Sequence, residues 1–304
     1  MTYEEFKEAV VEYAMKTTSG QATVEIQSLV KNNGVVLDGL IIREGGINIS
    51  PTIYLNNYYE CLCREVMSLE EVLSSIMDCY NDNKLQQDFD VSFMTDFESA
   101  KNQLVFKLVN REKNQDLLSR VPHVDYMDLA ILFYYYLQEL PITDGQATIL
   151  ITNKQMEGWN VGIEDLMEAA IANTPRLLGL SVESIVDTLK SIKPDFNDTS
   201  VLEEDGLCSC VYVVSNAKKT NGASVICYKD SLLDLAGRLE SDLFIIPSSI
   251  HEVLVIPNKA MPEDCVASLR ETIAIVNGSE LEEQDILSDN LYFYSREENM
   301  LKIC

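Results

Sequence analysis

Three Ser/Thr-x-x-Glu segments, Thr2 to Glu5, Ser68 to Glu71 and Thr95 to Glu98, constrain this chain most, because each marks a helix start and the residues between them alternate like strands. In such a box the hydroxyl accepts a backbone N–H of the first helical turn while the glutamate reaches back to the capping residue. After the first box, Phe6, Val10, Tyr13 and Ala14 share one helical face, which predicts a helix to about Met15. Ala22 to Gln27 alternates as a strand, Asn32-Asn33-Gly34 supplies a turn able to adopt positive φ, and Val35 to Ile42 returns as a second strand. Asn48 to Leu55 reads as a third, with Pro51 placing it at an edge or bulge. The second box opens a helix whose buried stripe is Val72, Leu73, Ile76, Met77 and Tyr80. An N-terminal α-β-β-β-α domain, residues 1–90, is expected.

Residues 91–304 continue without a regular strand-helix-strand rhythm. The third box predicts a short helix from Thr95, followed by a buried strand from Leu104 to Val109. Val124 to Glu139 reads as one long strand, paired with Ala147 to Thr152 across Pro141 to Gly145. A helix from Glu164 to Asn173 is expected to stop at Pro175. An acidic linker, 195–206, precedes strands at Cys208 to Val214 and Ala223 to Tyr228 and a helix from Ser231 to Leu239. Strands at Leu243–Ile246 and Glu252–Ile256, a helix Glu263–Val276 behind Pro262 and a strand Leu291–Tyr294 complete the reading. Strands mixed with isolated helices argue for an α+β chain of two domains, built on antiparallel sheets with flanking helices.

Charge bounds the partners. Forty-nine acidic against 23 basic side chains give a net charge of −26, yet 46% of residues are hydrophobic, so the chain can bury a core and carry its charge on a folded surface. Such a surface repels phosphates and anionic lipids, which disfavours direct nucleic-acid or membrane binding and favours a basic protein partner. The nearest basic candidate, Ala217-Lys218-Lys219-Thr220-Asn221-Gly222, reads as a solvated hairpin turn. If the acidity serves binding, one carboxylate-rich face is expected, with Lys218, Lys219 and Arg238 segregated from it; if it serves solubility, both signs are interspersed. The N-terminus has no basic and apolar leader pattern, and the most apolar run, Leu129 to Leu137, is far shorter than the roughly 20 residues of a membrane helix. A cytoplasmic protein with reduced thiols is expected.

No stretch carries a specific catalytic or cofactor motif; neither a phosphate-cradling Gly-x-x-x-x-Gly-Lys-Ser/Thr loop nor Gly-x-Gly-x-x-Gly occurs. Cys61-Leu-Cys63 and Cys208-Ser-Cys210 hold four thiols, but in extended chain i and i+2 stand about 6–7 Å apart, too far for a tetrahedral pair. No metal and no cofactor are expected. His251 lies in Ile246-Pro-Ser-Ser-Ile-His-Glu-Val-Leu-Val-Ile-Pro257, beside Ser249 and Glu252, the grouping nearest to nucleophilic catalysis. The contrasting reading is a turn in which Ser248 and Ser249 bond local backbone between two buried strands. His123, with Asp125 or Asp128 as partner, orders the entry to a strand. Glu203-Glu204-Asp205 and Glu282-Glu283 with Asp285 read as solvated faces, with weak divalent-cation binding as the functional alternative.

Five strings together resemble a family: Lys31-Asn-Asn-Gly-Val-Val-Leu-Asp-Gly-Leu, Asn48-Ile-Ser-Pro-Thr-Ile-Tyr-Leu-Asn56, Leu108-Val-Asn-Arg-Glu-Lys-Asn114, Val121-Pro-His-Val-Asp-Tyr-Met-Asp-Leu-Ala130 and Pro247 to Pro257. The chain resembles, over nearly its whole length, a family of acidic bacterial proteins without assigned chemistry, common in anaerobic gut bacteria and often carried with mobile elements. The resemblance implies cytoplasmic residence and no catalytic residues. The first functional reading is therefore a non-catalytic binding protein whose acidic surface engages a basic protein. Its special case is a mobile-element inhibitor of a nucleic-acid-handling host protein. The alternative is an enzyme of unknown reaction with a site around His251, Glu252, Ser249 and His123.

Overall fold

The computed structural model describes residues 1–18, 22–46, 48–85, 90–137, 147–192 and 210–304. The chain divides into two compact units, one within Met1–Ser92 and the other within Phe93–Leu140 and Asp144–Cys304. The acidic linker at 195–206 and Cys208 lie outside the described residues. Every strand pairing described is antiparallel, and helices flank the sheets, an α+β architecture.

The N-terminal unit opens with α1, Tyr3–Thr17, where the Thr2 hydroxyl accepts the Glu5 N–H at 3.3 Å and the Glu5 carboxylate accepts the Thr2 N–H at 2.8 Å. Strands β1, Thr23–Val30, and β2, Val36–Arg43, form a hairpin over Asn32–Gly34, whose Asn33 and Gly34 take φ of 58° and 75°. Strand β3, Thr52–Tyr54, pairs on the far side of β2, directly after Pro51. Helix α2, Asn56–Cys63, was not foreseen and places Cys61 and Cys63 on a helix rather than in extended chain. Two positions apart on a helix, they point to different sides. Helix α3, Leu69–Asn83, starts at the Ser68 box and buries Val72, Ile76, Met77 and Tyr80 against Phe6, Val10, Leu40 and Ile53.

The second unit begins with α4, Phe97–Ala100, whose cap is Asp96 and not Thr95: its carboxylate accepts the Ser99 N–H at 2.9 Å. Strand β4, Leu104–Asn110, is buried at all seven positions, so both of its faces are covered. After α5, Gln115–Leu118, the expected long strand is two: β5, His123–Tyr126, turns through Met127 at φ 56° into β6, Leu129–Tyr136. Strand β7, Thr148–Leu150, pairs with β6, as expected. Helices α6, Asn153–Trp159, and α7, Ile163–Leu178, follow. Proline does not stop α7 at Asn173. Pro175 leaves one carbonyl without its helical donor, but buried Thr174 and Leu178 hold the last turn to the core, and Thr174 accepts the Phe106 N–H at 3.0 Å.

Strand β8, Ser181–Ser184, helix α8, Ile185–Ile192, strand β9, Tyr212–Ser215, helix α9, Ser231–Leu239, strands β10, Leu243–Ile246, and β11, Val253–Pro257, helix α10, Cys265–Ser279, and strands β12, Tyr292–Ser295, and β13, Met300–Ile303, complete the unit. They form a six-stranded sheet of order β13-β12-β10-β11-β9-β8, beside a four-stranded sheet in which β6 carries β4 on one side and β5 and β7 on the other. Ala223 to Tyr228, read as a strand, is a 3₁₀ segment over Gly222–Cys227; β9 pairs with β8 and β11 instead. Among the described residues no helix is long and apolar enough to cross a membrane.

Candidate functional site

His251 sits in the connection from β10 to β11, and each of its polar atoms is engaged. Its N–H donates to the Ser249 hydroxyl at 3.0 Å. Its carbonyl accepts from the Gly222 N–H at 2.9 Å and the Ser215 hydroxyl at 2.7 Å. The Asn221 N–H donates to Nδ1 at 3.2 Å, which in the neutral ring leaves the proton on Nε2, 3.4 Å from Asp285 Oδ1. The Asp285 carboxylate raises the ring's pKa above its ordinary value, and partial burial opposes it. Gly222 is required at this contact, since a Cβ there would stand 2.1 Å from Ser215 Oγ and 2.6 Å from both Asn216 N and His251 O.

The structure thus gathers Ser249, His251 and Asp285, and the third of these was read as part of a solvated face. Ser249 is nearly fully buried and bonds the histidine's backbone, not its ring. Both ring nitrogens face partners of the fold, and no hydroxyl or thiol among the described residues is hydrogen-bonded to them, so the nucleophile–base contact of covalent catalysis is missing. Glu252 makes no hydrogen bond among the described residues and acts on the ring through its charge. His123 stands apart in this respect: its Nδ1 lies 3.1 Å from the Val121 carbonyl. Neither partner expected for it is bonded to it. Asp125 pairs with Arg111 at 3.1 Å, and Asp128 accepts from the hydroxyls of Ser288 and Tyr292 and the amide of Asn290, tying the β5–β6 turn to the segment before β12. Among the described residues no group of three or more His, Cys, Asp or Glu side chains is arranged to hold a metal. Cys61, Cys63, Cys79, Cys227, Cys265 and Cys304 are free thiols.

Among the described residues the acidic side chains are not segregated from basic ones. Basic side chains sit beside acidic ones throughout both units, as in Arg43–Glu25, Arg64–Glu60, Lys84–Glu44, Lys101–Glu98 and Lys302–Glu298. Lys219, expected to stand apart from carboxylates, pairs with Glu183 at 2.8 Å. The lysine turn is itself shaped by Asn216, which accepts the Lys218 N–H and donates to the Thr220 carbonyl.

One surface of the N-terminal unit departs from this mixing. Positions 4, 7, 8, 11, 12 and 15 of α1 follow the i, i+3, i+4 pattern and line a groove of about 500 Å³ together with Ile26 and Ser28 of β1 and Asp38 of β2. Val11, Met15 and Ile26 supply its apolar surface, and Met15 is 45% exposed. Four carboxylates, Glu4, Glu8, Glu12 and Asp38, surround one ammonium, Lys7, which is 2.8 Å from Glu4 and 3.4 Å from Asp38. The Ser28 hydroxyl, 2.5 Å from Asp38, holds that carboxyl below its usual range. Glu12 pairs with Lys16, whereas Glu8 has no hydrogen bond or ion pair among the described residues. Like charges four apart on a helix destabilise it by about 0.2–0.5 kcal/mol per pair. Lys7 and Lys16 offset Glu4 and Glu12, which leaves Glu8 as the carboxylate of the row without a partner among the described residues. The row's four-residue spacing was visible in the sequence; that β1 and β2 would close a groove beside it was not.

A second cleft, of about 330 Å³, lies among Leu180, Val182, Val225 and Leu235 with Arg238 of α9 at its edge. A family model described as a family of unknown function, DUF5688, matches residues 3–296, nearly the whole chain, and the chain belongs to that family. No curated protein and no solved structure matches it.

Proposed function

We propose that this DUF5688 protein is a non-catalytic binding protein whose N-terminal unit engages a basic protein surface through the groove between α1 and the β1–β2 hairpin. The observation that carries this reading is the row of carboxylates at Glu4, Glu8 and Glu12 beside exposed apolar surface, with Lys7 the one cation in the lining. Lysine and arginine suit such a groove because their stems lie along Val11, Met15 and Ile26 while their charges meet the rim. The proposal extends to a cytoplasmic partner that handles nucleic acid, with carboxylates standing where phosphates bind, and to a mobile-element inhibitor; these rest on the family resemblance and the net charge, not on the groove's geometry. An enzyme centred on His251 has the Asp285 contact in its favour and lacks, among the described residues, a hydrogen-bonded hydroxyl or thiol for the ring to activate.

The test uses the full chain and a lysine-rich peptide as probe, followed by fluorescence anisotropy at two salt concentrations. Binding is expected to weaken as salt rises, because the rim is solvent-exposed, and to fall about tenfold or more in the combined Glu4→Gln, Glu8→Gln, Glu12→Gln variant. Folding of that variant should be unimpaired, as surface changes of this kind stay within about 0.5 kcal/mol. Equal binding by the variant and the parent chain would overturn the groove as the site.

A further inference from the structure

The N-terminal sheet has two edges, and they are protected very differently. Strand β3 is three residues long and follows Pro51, two devices that discourage further pairing. Strand β1 is eight residues long, pairs with β2 along its whole length, and contains no lysine, proline or glycine. Its last residue, Val30, and the cross-strand partner Val36 are 60% and 55% exposed.

The direction of the unpaired groups follows from the hairpin. Lys31 N–H donates to the Val35 carbonyl at 2.7 Å, so in the alternating antiparallel ladder the pairs Leu29/Leu37, Gln27/Gly39 and Glu25/Ile41 exchange the bonds between β1 and β2. Asp38 and Ile42, of the other parity, turn their carbonyls the opposite way, to the Leu55 N–H and the Ser50 hydroxyl, as this register requires. Val24, Ile26, Ser28 and Val30 therefore direct their N–H and C=O groups to the free edge. None of the four has a backbone partner there among the described residues. Of these same residues, Ile26 and Ser28 face the acidic groove with their side chains. A row of backbone groups without partners among the described residues and a charged groove thus lie side by side.

We infer that the partner segment binds as an extended strand added to the free edge of β1, with its alternate residues, lysine or arginine, directed into the groove at Glu8 and Glu12. This rests on the groove reading and adds the mode of recognition. Main-chain bonds to Ile26, Ser28 and Val30 supply affinity, and the alternating side chains supply selection. The occupant is a basic segment of another protein and not a second copy of this chain. Pairing β1 with β1 would bring two rims of Glu4, Glu8, Glu12 and Asp38 together, and like charges across an interface oppose association.

The experiment compares three forms of one alternating lysine–threonine octapeptide on the full chain: unmodified, N-methylated at the lysines, and N-methylated at the threonines. An added strand bonds β1 through one alternate set only, so methylating that set should weaken binding about tenfold or more while methylating the other leaves it nearly unchanged. The amides of Ile26, Ser28 and Val30 should gain hydrogen-exchange protection with the unmodified peptide. Equal affinities for all three peptides, still lost in the Glu4→Gln, Glu8→Gln, Glu12→Gln variant, would overturn strand addition and leave the groove reading standing. Equal affinities that the variant retains would overturn both. Protection of those amides without peptide, accompanied by a dimer in sedimentation, would assign the edge to a second copy and overturn the inference.

Discussion

The surroundings of His251 and the groove beside α1 contain similar chemistry, carboxylates with hydroxyls and a basic group, and use it in opposite ways. Around His251 the donors and acceptors close on one another: Ser215, Gly222, Asn221, Ser249 and Asp285 account for both backbone atoms and both ring nitrogens. Beside α1 the carboxylates repeat at helical spacing, Lys7 answers Glu4 and Asp38, Lys16 answers Glu12, Glu8 has no partner among the described residues, and none of those residues pairs with the adjacent strand edge. Satisfied polar groups in a half-buried connection hold a fold together. A carboxylate without a partner among the described residues, Glu8, next to exposed apolar surface has no such use, and the proposed binding reading rests on it. The residue that looks most catalytic in the sequence is therefore a clasp, and the helix that looks most ordinary carries the candidate interface.

The clasp is most easily broken at Gly222. A Gly222→Ala methyl would collide with Ser215 Oγ, Asn216 N and the His251 carbonyl, two of them backbone atoms that cannot swing away. Overpacking of this kind should cost about 3 kcal/mol, read as a lowered urea midpoint of the full chain. Gly237→Ala is the control: it lies within α9 with nothing near its would-be Cβ, and it should stabilise by about 0.5–1 kcal/mol. Similar midpoints for the two variants would mean that the loop through Gly222 is not held against His251.

A smaller effect separates the clasp's members. Ser215→Ala removes one donor from the His251 carbonyl, but the Gly222 N–H remains on it, so no acceptor is left bare. The expected loss is about 1 kcal/mol, again by urea unfolding. Peptide binding at the groove should be unchanged, and a change there would show that the two regions are not independent.

Much of the frame was legible because its signals are local. The Thr2 and Ser68 boxes placed α1 and α3, the Asn32-Asn33-Gly34 turn placed the hairpin, and the stretches at Ser231 and Leu243 had clear periods. What failed depended on backbone that composition does not advertise. Met127, not a glycine or asparagine, takes the left-handed turn that splits β5 from β6, and it is secured by Asp128 bonding residues 160 or more positions away. Asn221 and Asp230 take positive φ at either end of the segment misread as a strand, which coils into a 3₁₀ turn between them. Asp285 looked like one solvated carboxylate among several because its partner lies 34 positions upstream. The groove is half legible: Glu4, Glu8 and Glu12 stand four apart in the sequence, a spacing that by itself reads as a solvated helix face, but the register of Ser28 with Asp38 that closes the far wall needs the sheet.

The finest test of the clasp is the His251–Asp285 contact, at 3.4 Å its longest leg. Asp285 raises the folded pKa of His251 above the unfolded value of about 6.5, so the folded state binds the ring proton more tightly. The added stability is complete below about pH 6.5 and is lost as the pH rises through the folded value. In Asp285→Asn the carboxylate's pull is gone, while the Asn221 N–H still faces Nδ1 and favours the neutral ring. The His251 titration should move down, and the pH dependence of stability in that window should flatten. With only two histidines in the chain, proton NMR of the ring resonances reads this directly. The effect is the smallest of the set because both side chains are about one-third exposed, and solvent screens the pair. If His251 titrates at the same pH in both proteins, Asp285 is not holding the ring, and the clasp rests on the backbone contacts of Gly222, Ser215 and Asn221 alone.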